Sequence, residues 1–169
     1  NIDLSDLAKE VELIEKELSQ KSELFSQDID REAYTWQDVK ARLKPNEVAV
    51  EMVRYRHFDK FLTDSVIYVM LILKNQEQTK PSYVVLDNGN ELESKYFNNY
   101  RNSIKYRVRD TYSYNNFWKP IESTVGNNST IYLSPDGVFN QINLETIPIE
   151  GDKYLIDNSN LILVSNTKE

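Results

Sequence analysis

The chain is 169 residues long, 40% apolar and 28% charged, which fits a globular domain with a real core and excludes a disordered segment. Its formal charge of −7 disfavours general nucleic-acid binding, because phosphate backbones would be repelled. With no cysteine and one histidine, His57, the chain holds no disulfide, thiolate metal site, cysteine nucleophile or multi-histidine site, and it fits a reducing compartment such as the cytoplasm.

In chain order, Leu4, Leu7, Val11, Ile14 and Leu18 recur at alternating steps of three and four, which predicts an amphipathic helix. Residues 1–30 read as this helix plus linker, and residues 31–169 as the main domain. The chain shows no signal-peptide pattern and opens on Asn1, not Met, and so reads as an excised piece or a processed product. Thr35-Trp36-Gln37-Asp38 predicts a capped helix that continues through Val39 and Leu43 to Pro45. From Val48 the period becomes two: Val48, Val50 and Met52 face one way, Ala49, Glu51 and Val53 the other.

Arg54 to Asp64 is expected to be the wide loop of a hairpin leading to Ser65–Leu73, a strand apolar enough to be covered on both faces. Its apolar core, Val66 to Leu73, falls well short of the ~20 residues of a membrane span. Ser82–Leu86 predicts a third strand, and Leu92, Tyr96, Tyr100, Ile104 and Val108 predict a helix from Glu91 to about Arg109. A Tyr- and Asn-rich loop precedes a helix over Phe117–Val125. Thr130 to Pro148 then reads as strand, tight Ser134-Pro135-Asp136-Gly137 turn, second strand through Val138, Phe139 and Ile142, and a helical start capped by Asn143. Leu161–Ser165 predicts a last strand.

Candidate chemistry is sparse. Ser134 has no imidazole base near it in sequence and reads as turn structure, not as a nucleophile. His57 reads as a surface loop residue. Asp136, Glu145, Asp152 and Asp157 lack the fixed loop spacing of a hard-cation site, and turn or cap roles explain them better. Arg101, Lys105, Arg107 and Arg109, interleaved with Tyr106, Tyr112 and Tyr114, have the composition of a single-strand nucleic-acid face, against which the acidic total weighs. No catalytic, cofactor-binding or metal residue is assigned, and no cofactor is expected.

Three segments, in order, resemble CHAT domains, caspase-like modules found behind tetratricopeptide repeats. They are Trp36 to Glu47, Trp118-Lys119-Pro120-Ile121, and Thr130 to Ile147, the last through Pro135, Asp136, Gly137, Val138, Ile142, Glu145 and Ile147. Asn143 and Leu144 depart from the family, which more often has Pro and Phe there. The resemblance implies an α/β fold, a caspase-like sheet flanked by helices, of which this chain is the N-terminal part lacking the family's His and Cys region. It implies a structural and substrate-wall role, not catalysis by the chain alone. The other reading is a non-enzymatic interaction module or scaffold. Expected partners are upstream helical repeats or another protein through the Leu4–Leu18 seam, and a second copy through an exposed sheet edge. Nucleic acid and membrane are not expected partners.

Overall fold

The computed structural model describes residues 13–14, 34–75, 80–126 and 130–168. The chain divides into two compact units, Asn1–Tyr34 and Thr35–Glu169, and every element below belongs to the second. Apart from residues 13–14, which are helical, the Leu4–Leu18 helix lies outside the described residues.

A short helix, α1 (Trp36–Arg42), opens the unit on the expected cap. The Thr35 backbone N–H and hydroxyl both donate to the Asp38 carboxylate at 2.7 Å, and this holds the exposed acid below its usual pKa. Three antiparallel strands follow as a meander: β1 (Glu47–Asp59), β2 (Phe61–Lys74) and β3 (Ser82–Leu86). Two more strands, β4 (Thr130–Ser134) and β5 (Asn160–Leu163), add in parallel on the other side of β1. The mixed five-stranded sheet therefore has the order β3-β2-β1-β4-β5.

Between β3 and β4 run two helices. The first, α2, is continuous through Gly89–Glu91, a π-helical turn Leu92–Tyr96, and Phe97–Tyr106. Steps of four overshoot a 3.6-residue turn, and the wider π turn absorbs that drift, keeping Leu92 and Tyr100 buried on one face. Past Tyr100 the helix is regular, the drift returns, and Ile104 is exposed. The second helix, α3, comprises a π turn Tyr114–Trp118 and an α-helical part Lys119–Val125.

These helices bury one face of the sheet. Val50, Met52, Tyr68, Met70, Ile72, Ile131 and Leu133 meet Leu92, Phe117, Trp118 and Ile121 in one core. Each fully buried aliphatic side chain here contributes about 1.5–3 kcal/mol. Phe139 sits edge-on to Tyr68 and Phe117, with ring centroids 5.3 and 5.6 Å away.

Three expectations from the sequence are corrected. Arg54–Asp64 is not a loop: β1 and β2 stay paired out to Asp59 and Phe61, turning at Lys60, whose φ is +58°. A bulge at residues 63–65 is pinned by Asn90, whose amide donates to Asp64 O (2.7 Å) and accepts from Val66 N–H (2.6 Å). Second, no hairpin follows Pro135. The chain stays extended through Asp136 and enters a 3-10 turn, Gly137–Gln141, because Val138 and Phe139 reach the core from one short turn. Third, β2 is not covered on both faces. Only its Leu73 end is sealed, with Ala49, by Leu43, Trp36 and Val39, whereas Leu71 on the same face is exposed.

Candidate crevice at the switch point

Strands β2 and β3 lie on one side of β1, and β4 and β5 on the other, so the chain reverses its direction of sheet growth between β1 and β4. In open α/β sheets such a switch point leaves a crevice outside the carboxyl ends of the parallel strands. Here β4 stops at Ser134, opposite Glu51, while β1 runs on. The Arg54 N–H has thus outrun its strand partner. Asp136 takes over: its Oδ2 accepts from Arg54 N–H at 2.8 Å, and its Oδ1 accepts from Gly137 N–H at 2.7 Å.

Three side chains then close a network around this point. The Arg54 guanidinium grips Glu93 of α2 in a fork, with Nε–Oε1 2.5 Å and Nη2–Oε2 2.9 Å. The Tyr68 hydroxyl donates to Glu93 Oε1 at 2.7 Å and accepts from the buried Val138 N–H at 2.9 Å. Arg54's hydrogen bonds, and then Tyr68's, hold the Glu93 carboxyl below its usual range. Burial pushes the Tyr68 hydroxyl well above its ordinary pKa. Arg54, Glu93, Phe97, Gly137, Val138 and Gln141 line an adjoining cavity of about 330 Å³. The crevice is walled by an ion pair, an aromatic ring and an amide, and presents no activated nucleophile.

The acid arm of the network is testable. A carboxyl whose folded pKa is depressed stabilises above its unfolded pKa and loses that contribution as pH falls through the folded value. The Arg54–Glu93 pair is partly exposed, so its contribution is on the order of 1 kcal/mol. Glu93→Gln should lower the urea midpoint at neutral pH, and the gap from the parent should close below the ordinary glutamate value of 4.5. A gap that stays constant with pH would contradict the assignment.

The other sequence candidates disperse. Ser134 is a buried strand end, not a turn residue; its hydroxyl donates to Glu51 Oε1 (2.8 Å) and lies 3.2 Å from Ser165 O. The other Glu51 oxygen accepts from Thr167 N–H at 2.9 Å, tying the segment after β5 past the carboxyl end of β4 to the middle of β1. His57 is exposed in the distal part of β1 and does not line the crevice. Of the four acids, Asp136 alone adjoins the crevice, through Arg54 N–H and Gly137 N–H; Asp157 caps Tyr154 N–H, and Asp152 pairs with Arg109 at 3.4 Å. Among the described residues no group of three or more His, Cys, Asp or Glu is placed to hold a metal.

The basic face divides as well. Arg101 stacks over Phe97 and Lys105 over Tyr106, while Arg109 donates to the carbonyls of Ile149 and Gly151. Asn143 caps as expected, its Oδ1 accepting from Glu145 N–H at 3.2 Å. Arg54, Tyr68 and Glu93 were not legible as a site. The one usable signal was Tyr68, a hydroxyl inside the apolar run Val66–Leu73, which demands a partner once buried.

Fold and crevice define an α/β protein with a mixed, helix-flanked sheet and a polar cleft at its switch point. No protein-family profile matches the chain, and no curated protein is significantly similar to it. Among the described residues no helix is long and apolar enough to cross a membrane.

Proposed function

We propose that the chain is the N-terminal part of a CHAT-like, caspase-type domain, supplying part of the sheet, its covering helices and one wall of the substrate crevice. The observation that carries this reading is the crevice itself. The Pro135-Asp136-Gly137 segment, the strongest point of resemblance, lies just past the carboxyl end of β4, beside Arg54 in the middle of β1, and the carboxyl ends of parallel strands are where α/β enzymes hold their substrates. The role is non-catalytic, because the lone imidazole lies outside the cleft and there is no thiol. The same reading places the protein in a reducing cytoplasm and directs the Leu4–Leu18 seam to upstream helical repeats.

The isolated chain should hydrolyse no peptide in a fluorogenic library. A longer polypeptide that includes this chain and its downstream region should hydrolyse peptides, and Gln141→Ala should raise KM while kcat holds. Turnover by the isolated chain, or a KM untouched by Gln141→Ala, would overturn the reading.

A second reading, a non-enzymatic interaction module, draws on the apolar groups left in solvent. Phe58, Phe61 and Leu62 stand exposed at the ribbon tip, and Val53, Tyr55, Leu71, Tyr83 and Val85 on the sheet face beyond α1. Under it, the longer polypeptide shows no turnover, and Phe61→Ser weakens partner capture.

A further inference from the structure

The basic residues of α2 and of the loop after it fall into two groups. Arg101 and Lys105 stack on rings of their own helix, whereas Arg107 and Arg109 enter a cavity of about 410 Å³ that shares no residue with the crevice. One wall is the end of α2 with residues 107–110. The other is a tight turn, residues 148–154, closed by the Pro148–Tyr154 bridge and by Ile149 N–H donating to Lys153 O at 2.9 Å. Arg109 braces the walls, donating to the carbonyls of Ile149 and Gly151 and pairing with Asp152. Every lining residue falls between Tyr100 and Tyr154, and none belongs to a strand of the sheet.

Charge in this cavity does not cancel. Asp110 is spent within the protein: its Oδ1 accepts from the N–H groups of Tyr112 and Ser113, and its Oδ2 from the Ser113 hydroxyl at 2.6 Å. Asp152 is spent on Arg109. Arg107 and Lys153 come from opposite walls, are exposed, and have no side-chain partner among the described residues. In a chain of formal charge −7, two such cations across one cavity mark a place for an anion.

Arg107 also stands where its backbone disfavours it. It ends α2 at φ +53°, with its N–H on Ile104 O and Val108 N–H on Ser103 O, a helix stop that glycine usually fills. Lys105 already supplies the cation that a helix C-terminus favours. The strain of a left-handed arginine is therefore offset by a use for its side chain at the cavity. Around the cations the surface is apolar, with Ile104, Val108 and Tyr154 all exposed. A guanidinium fork beside an ammonium suits a phosphate, and a tyrosine ring among aliphatic neighbours suits a flat apolar body. The volume is that of a small-molecule site.

We propose that this cavity binds a small organic phosphate of the nucleoside monophosphate class, with Arg107 and Lys153 on the phosphate and Tyr154 against the base. The assignment involves no reaction and depends on neither reading of the crevice. Calorimetric titration of the chain with AMP, GMP, CMP and UMP should show binding of at least one of them at a single site, tighter than that of inorganic phosphate. Lys153→Gln should weaken it about tenfold or more. Arg107→Gly is the sharper variant: it should abolish binding while the urea midpoint holds or rises, because glycine suits the helix stop. A merely structural arginine would not separate the two readouts. No binding of any of these nucleotides at about 1 mM, binding that survives Arg107→Gly, or inorganic phosphate bound as tightly as the nucleotide would each overturn the proposal. So would tighter binding of a short single-stranded oligonucleotide or an acidic peptide.

Discussion

Gly137→Ala should destabilise the protein by about 3 kcal/mol, combining the cost of a left-handed residue with that of overpacking. Gly137 holds φ at +54°, and a Cβ there would overlap the Tyr68 hydroxyl and come within 2.6 Å of Arg54 Cδ. Neither neighbour yields easily. The hydroxyl is fixed between Glu93 and Val138 N–H, and the arginine is clamped by the same glutamate.

The urea midpoint should fall and the slope should hold, since the loss lies in native packing and not in the extent of unfolding. Tyr68→Phe supplies the internal check. Alone it orphans the buried Val138 N–H, at about 1–3 kcal/mol. Combined with Gly137→Ala it removes the oxygen that the new methyl strikes, so the double variant should be more stable than the two losses summed. Strict additivity would mean that the two residues do not touch.

This crowding explains why the Pro-Asp-Gly segment was easy to find in the sequence and hard to interpret. Its residue types announced backbone punctuation, and a hairpin turn was the nearest local meaning. The structure uses them differently: Asp136 substitutes for a strand that has ended, and Gly137 lets the chain lie against a tyrosine seventy residues away in sequence. Period-two patterning located the start of β1, and short apolar runs located β2 from Ser65 onward and β3, because both signals are properties of neighbours. The ribbon out to Lys60 was missed because Arg54 to Asp64 carries five charges in eleven residues, which locally looks like a loop. Pairing with β2 supplies what local composition does not show. The crevice was illegible for the same reason. Arg54, Tyr68 and Glu93 come from three elements, and beyond the Tyr68 hydroxyl in its apolar run nothing at their own positions distinguishes them from solvated or core residues.

A second close approach lies at the start of α2, and its failure should look different. Gly89 is buried against β2, and a Cβ there would overlap the Val66 carbonyl oxygen and sit 2.7 Å from both Val66 C and Cγ1. Its φ is not in the left-handed region, and alanine favours a helix by about 1 kcal/mol over glycine. Local propensity therefore argues for the substitution and tertiary packing against it. Packing should win, with a net loss of about 2 kcal/mol or more, because the main chain of a paired strand cannot swing aside as a side chain can. The helix must instead lift from the sheet, drawing Asn90 away from Asp64 O and Val66 N–H and loosening the bulge that aims the ribbon. Faster amide exchange at Val66, alongside the lower stability, would report that movement. Adding Val66→Ala relieves only the Cγ1 contact and should restore little. Full recovery in that double variant would show that the obstacle was the valine side chain and not the strand.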